Sequence, residues 1–295
     1  MIECRPCIWL VENVVENVNI MQSGSRIGFF DSGVGGLSVW REVVALLPGI
    51  STAYLADNAY CPYGLRPVEE IIERSCVLTE ALLRQDCRII VSACNTATSA
   101  AIATLRQRYN VPFVGIEPAV KPAALNTRSG VVGVLATRAT LTGRLFKETS
   151  ARFASHVRLV TKIGEGLVEL VEAGETTSAA ARAIVAANLS PLLEAGADQI
   201  VLGCTHYSFL ADLIRELAGE GVEIVDAAPA VARQVARVLA DLPGGDNILD
   251  QPTVAHRFGA TAAADTLRMM AESFGLTPRT APAGACGLTA DCFEA

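Results

Sequence analysis

From Arg26 onward the chain alternates short apolar runs with helix-length segments, and this alternation limits the fold more than any other feature. IGFF precedes a helical pattern over 37–47, TAYLA one over 68–85, RIIVS one over 96–109, and PFVG closes the series. A second series starts near Pro118 with VVGVLA, then a helix over 144–149, RLVT, a helix over 177–194, QIVLG, a helix over 212–217, and VEIVD. Strands this uniformly apolar are covered on both faces, and strand–helix repetition predicts mainly parallel sheets with crossover helices.

The two series carry a matching mark. Cys94, in IIVSACNTATSAA, and Cys204, in IVLGCTHYSFL, each follow an apolar strand and precede a helix-like segment. They are too far apart in sequence to be a chelating pair, and their matched settings point to a duplicated half-domain. Thiols at the carboxyl ends of parallel strands stand where open α/β sheets keep their chemistry. A helix start ahead of each one favours thiolate and is expected to lower its pKa. Two such cysteines on one cleft suggest proton transfer with two bases.

Composition narrows the alternatives. With 295 residues the chain suffices for two ordinary domains, and its 51% hydrophobic and 19% charged residues, with mean hydropathy +0.36, suit buried parallel strands. A net charge of −7 and a pI near 5.1 argue against nucleic acid as a main partner. No apolar run reaches the length of a membrane span. The nine cysteines are irregularly spaced and odd in number, which fits reduced thiols better than a disulfide framework. Cys4 and Cys7 form a CxxC without a second pair, so no metal site is expected, and residues 1–25 read as an appendage rather than a signal peptide.

Four segments carry polar chemistry. FDSGVGGLSV sets Asp31 and Ser32 at a strand end before Gly33, Gly35 and Gly36, a turn whose amides can approach an anionic ligand. Asp31 there can act as a base or orient one. ADNAYCPYG offers Tyr63 as a pocket wall and the Gly64 amide, with Cys61 read as a wall residue; PYG is equally a good turn. ACNTAT follows Cys94 with Asn95 and Thr96, which can bind a carboxylate or ammonium while capping a helix. GCTHYS places Thr205 and His206 behind Cys204, and His206, one of three histidines, gives that thiol a proton partner. No lysine lies inside these motifs, so pyridoxal phosphate is not suggested and no cofactor is expected.

These segments, together with EPAVKPA and VLATRAT, occur in an order and at separations that closely resemble the glutamate racemases of the aspartate/glutamate racemase family, over roughly residues 26–239. The FDSGVGG turn favours glutamate over aspartate. The resemblance implies an α/β fold of two pseudo-symmetric doubly wound domains with the active site in the cleft between them. It implies cofactor-independent interconversion of L- and D-glutamate, with Cys94 and Cys204 as the two bases. By the same matching, Asp31 assists Cys94, and His206 with Glu172 of LVELVEAGE assists Cys204. Ser32, Tyr63, Gly64, Asn95, Thr96, Thr137, Thr140 and Thr205 would bind substrate. The sequence departs from the family over 161–166, where Cys-Pro often precedes the segment that holds Glu172. The amino-terminal extension and the ATRAT wording resemble the proteobacterial branch, some of whose members respond to a cell-wall precursor. Cytoplasmic work supplying D-glutamate for peptidoglycan is implied, as a monomer or a homodimer.

The expected division is an extension over 1–25, a discontinuous first domain over 26–117 and 227–275, a second domain over 118–226, and a loosely held tail over 276–295. Three rival readings stay open at this stage. Another acidic amino acid, such as aspartate, could be the substrate. A non-catalytic ligand-binding protein could use the same glycine turns, but would not need cysteines in both halves. A cysteine hydrolase could use Cys204 with His206, but would leave Cys94 and the duplication without a role.

Overall fold

The computed structural model describes residues 26–245, 253–262, 264–280 and 291–294; Cys4, Cys7 and Cys286 lie outside them. The first half runs β1 (Arg26–Asp31), α1 (Leu37–Leu46), β2 (Ser51–Ala56), α2 (Val68–Leu83), β3 (Cys87–Ser92), α3 (Asn95–Arg108), β4 (Phe113–Gly115). After α4 (Val120–Asn126) the second half runs β5 (Val131–Ala136), α5 (Arg138–Thr142), α6 (Arg144–Phe153), β6 (Arg158–Ile163), α7 (Leu167–Glu172), α8 (Ala179–Glu194), β7 (Gln199–Gly203), α9 (Ala211–Ala218), β8 (Glu223–Val225). The chain then continues through α10 (Ala228–Asp241), β9 (His256–Ala260), α11 (Asp265–Ser273), β10 (Arg279–Thr280) and β11 (Asp291–Glu294).

The duplication is visible in the strand order. One sheet contains the run β2-β1-β3-β4 and the other is β6-β5-β7-β8, all parallel, so β1 corresponds to β5 and β3 to β7. In each half the chain winds first to one side of the central strand and then to the other. The crevice at that switch point opens beyond the carboxyl ends of β1 and β3, or of β5 and β7. Asp31 ends β1, and Cys94 and Cys204 follow β3 and β7 in equivalent places.

The strands are buried along nearly their whole length in β1, β2, β3, β5 and β7, as their Val, Ile, Leu and Phe content requires. One core passes between the halves: Ile27, Phe29 and Trp40 of the first belong to the same cluster as Leu135, Val171 and Tyr207 of the second. Helix α10 packs on α1 and against β3 and β4, and β9 pairs with β2. On that ground we propose the same discontinuous first domain for the folded chain.

Three strands beyond α10 have no counterpart among the strands expected from the sequence. HRFGA is short and carries Arg257 and Gly259, so its period is weak, yet it extends the first sheet beside β2. The tail, read as loose, supplies β10 and β11, which add an antiparallel ribbon to β9. Phe293 is fully buried there, stacked on Phe258 at 5.0 Å, with Trp40 edge-on to Phe258 at 5.2 Å. Cys292 is disulfide-bonded, contrary to the expectation of wholly reduced thiols, whereas Cys61, Cys76, Cys87, Cys94 and Cys204 are free. No helix among the described residues is long and apolar enough to cross a membrane.

Candidate active site

Cys94 and Cys204 both line one small cavity between the two sheets, each 6–7% exposed. Cys94 caps α3: its backbone is extended, and its sulfur accepts the Ala97 N–H at 3.5 Å. The thiol lies 3.8 Å from the Ser32 hydroxyl. Cys204 precedes a short 3-10 turn over Thr205–Leu210 rather than an α-helix, and no side-chain cap bond forms there. Its sulfur lies instead 3.8 Å from His206 Nδ1.

Each thiol has a titratable side chain of its own beside it, Asp31 at Cys94 and His206 at Cys204. On the first side, Asp31 is fully buried; its Oδ2 accepts the Gly36 and Gly33 amides at 2.9 and 3.4 Å, and its Oδ1 has no partner. Burial raises the Asp31 pKa, with His206 and the Gly36 amide acting in the opposite sense. Burial and the adjacent Asp31 carboxylate also push the Cys94 thiol well above its ordinary value, outweighing the Ala97 amide. The lowering expected from the helix start is thus reversed at Cys94, because a helix terminus acts weakly against full desolvation and a like charge. On the second side, His206 Nε2 lies 2.6 Å from Glu172 Oε1, which also accepts the Val34 N–H at 2.8 Å. Burial disfavours the imidazolium, but Cys204, Cys61 and Glu172 together raise the His206 pKa well above its ordinary value. Glu172 shifts the other way: burial opposes its charge, and His206 and the Val34 amide overcome that and lower its pKa.

The glycine turn has a different role from the one its composition suggests. Its amides at Gly33, Val34 and Gly36 are occupied by the protein's own carboxylates, Asp31 and Glu172. The missing side chains matter more. A Cβ at Gly33 would lie 1.8 Å from Glu172 Oε1, and one at Gly35 would lie 2.2 Å from His206 Nδ1. These glycines let the second half bring its histidine and carboxylate against the first.

Six residues expected to bind substrate, Ser32, Tyr63, Gly64, Asn95, Thr96 and Thr137, line the cavity with the cysteines and His206. Asn95 is buried with both side-chain polar atoms unpartnered, a donor and an acceptor available to a ligand. Thr96 and Thr137 join the two halves by a 2.9 Å hydroxyl contact. Tyr63 contributes its ring only, since its hydroxyl donates to buried Asp57 at 2.5 Å, and Arg74 grips that carboxylate at 2.8 and 2.9 Å. Thr140 stands behind Thr137 at 2.9 Å, and the Thr205 carbonyl accepts from Ser38; neither is among the lining residues. Pro62 and Val168 line the cavity and were not singled out from sequence, because an apolar wall leaves no chemical signal. Cys61, read as a wall, lies with its thiol 3.6 Å from Glu172 Oε1.

A family model described as Asp/Glu/Hydantoin racemase matches residues 27–235. The chain belongs to the Asp/Glu racemase family. Among its relatives, a glutamate racemase of Ectopseudomonas mendocina is 48% identical over 251 residues, covering 85% of this chain and 94% of the relative. One of Herpetosiphon aurantiacus is 52% identical over 214 residues, covering 72% and 84%. Among solved structures, Escherichia coli glutamate racemase in complex with L-glutamate and the activator UDP-MurNAc-ala superposes with TM-score 0.77 at 33% identity, covering 85% of this chain and 96% of that one. A Bacillus anthracis glutamate racemase gives 0.76 at 32% identity, covering 86% and 95%. The two α/β halves seen here are thus the fold of glutamate racemase structures.

Proposed function

We propose that this chain is a glutamate racemase, a cofactor-independent isomerase that interconverts L- and D-glutamate through Cys94 and Cys204. The observation that carries this reading is that two thiols from equivalent strand ends line one cavity, each with a separate acid–base partner. Relatives near 50% identity that are glutamate racemases supply the substrate.

One thiolate removes the α-proton, and the thiol on the other side delivers a proton to the opposite face, which inverts the centre. Two groups are needed because a single base returns the proton to the face it came from. Asp31 orients Cys94 and takes up its proton to give the thiolate, whereas imidazolium His206, held by Glu172, donates towards Cys204 and keeps that sulfur supplied with the proton it delivers. The unpartnered Asn95 amide and the hydroxyls of Ser32, Thr96 and Thr137 hold the substrate's charged groups, so that the α-carbon stays between the two sulfurs. The cavity measures about 10 Å³ as it stands, room for about one water, so glutamate enters as its walls move apart.

The product D-glutamate serves peptidoglycan synthesis, which places the work in the cytoplasm. The reading extends to a nucleotide-linked cell-wall precursor as activator, on the strength of the Escherichia coli complex. Addition of that precursor should raise kcat/KM; an unchanged rate at saturating precursor would discard the activator.

The test is circular dichroism of each glutamate isomer with the full chain in deuterium oxide. Expected is decay of both to a racemate with deuterium at the α-carbon. Cys94→Ser and Cys204→Ser should each lose at least about a thousandfold in rate with an unchanged fold. Near-normal turnover in either variant would remove the two-base reading, and faster conversion of aspartate than glutamate would change the substrate.

A further inference from the structure

Cys61 is a thiol beside the reaction site with no task in the proton transfer. It lies in the loop between two short 3-10 turns, Asn58–Tyr60 and Tyr63–Leu65, and its Sγ stands 3.6 Å from Glu172 Oε1. The same carboxylate oxygen meets His206 Nε2 at 2.6 Å. One ligand atom from each of Cys61, Glu172 and His206 lies within 4.8 Å of the other two.

We propose that Cys61, Glu172 and His206 form a binding site for a borderline-soft divalent cation of the zinc type, and that its occupation arrests the Cys204 side of the reaction. Thiolate, imidazole and carboxylate are the three donor types zinc takes, and three protein ligands with a water complete a tetrahedron. Ordinary zinc bond lengths place sulfur and oxygen about 3.6 Å apart, and nitrogen and oxygen about 3.3 Å apart. The first separation already exists, and the second needs the His206–Glu172 contact to open by less than about 1 Å. Space for the cluster comes from Gly33, whose Cβ would lie 1.8 Å from Glu172 Oε1 and 3.1 Å from Cys61 Sγ.

On binding, the cation replaces the Cys61 thiol proton and the proton between His206 Nε2 and Glu172, and both leave to solvent. A ring bonded to metal through Nε2 can no longer be protonated by way of Glu172, so Cys204 loses its proton supply. This inhibitory half rests on the proposed racemase reading; the metal site itself does not.

The experiment is titration of the metal-free full chain with cobalt(II), then zinc in competition with a chelating dye. Expected are one cobalt per chain with a near-ultraviolet thiolate-to-cobalt band, displaced by zinc. Cys61→Ser and Glu172→Gln, on different elements, should each lower zinc affinity by at least about 100-fold, since losing even an outer-shell partner costs ~10–100-fold. Cys94→Ser should leave affinity and band unchanged. Racemisation should stop at one equivalent of zinc and return with chelator, and Cys61→Ser should need correspondingly more zinc. Unchanged affinity in Cys61→Ser, loss of the band in Cys94→Ser, or no thiolate band at all would overturn the site. An inactive chain that binds cobalt through Cys61 would count against the racemase and leave the metal site standing.

Discussion

The place of a side chain on Gly35 is taken by the His206 ring, whose Nδ1 would lie 2.2 Å from a Cβ there. That nitrogen is the one 3.8 Å from the Cys204 sulfur, so a residue of the first half fixes the geometry of a thiol in the second. Gly35→Ala should therefore displace the imidazole and lower kcat by about 100-fold or more, equivalent to ~3 kcal/mol. Steady-state kinetics with an unfolding curve would check this; an active alanine variant would show that His206 tolerates a shift.

Glu172 joins three elements: it accepts from Val34, contacts His206, and lies 3.6 Å from the Cys61 thiol. Glu172→Gln keeps its shape and removes the charge that stabilises imidazolium. We expect kcat to fall about 100-fold with little change in KM, because Glu172 lies behind His206 and outside the cavity lining. A rise in KM alone would give Glu172 a substrate-binding role instead.

Buried Asp57 receives Tyr63 and both nitrogens of the Arg74 fork, and Arg74 itself is only 17% exposed. Arg74→Ala leaves a carboxylate in the interior without its counter-charge, at a cost of about 3 kcal/mol. Urea denaturation would measure it. A cost below ~1 kcal/mol would mean that Tyr63 and Thr261 alone satisfy Asp57.

Asp198 accepts the Thr127 hydroxyl at 2.5 Å and the Arg128 and Ser129 amides at 2.7 and 2.9 Å. Burial opposes its charge, but these bonds prevail and hold its pKa at about 2. Since the unfolded value is near ~3.9, Asp198 stabilises the fold above about pH 4, and that contribution is lost as pH falls through about 2. Asp198→Asn should be less stable than the parent at neutral pH, with the gap narrowing between pH 4 and 2. A gap independent of pH would mean the carboxylate contributes no charge-dependent stability.

Local pattern carried the strand–helix order, the duplication and both cysteines, because uniformly apolar runs and polar residues at strand ends are properties of neighbouring residues. Strand β9 and the ribbon of β10 and β11 were not legible, since short segments such as HRFGA become strands only when a sheet edge stands beside them. Asp31 and His206 were legible from their nearness to the glycine turn and to Cys204. Which amides they and Glu172 engage was not.

The sequence by itself determined that two α/β half-domains each place a cysteine at the carboxyl end of a parallel strand. Tertiary structure alone decided that both thiols share one cavity, that Glu172 reaches across to Val34 and His206, and that burial raises Cys94 against its helix start. Those outcomes depend on desolvation and on contacts between residues distant in sequence, 138 positions apart for Val34 and Glu172, which no local pattern encodes.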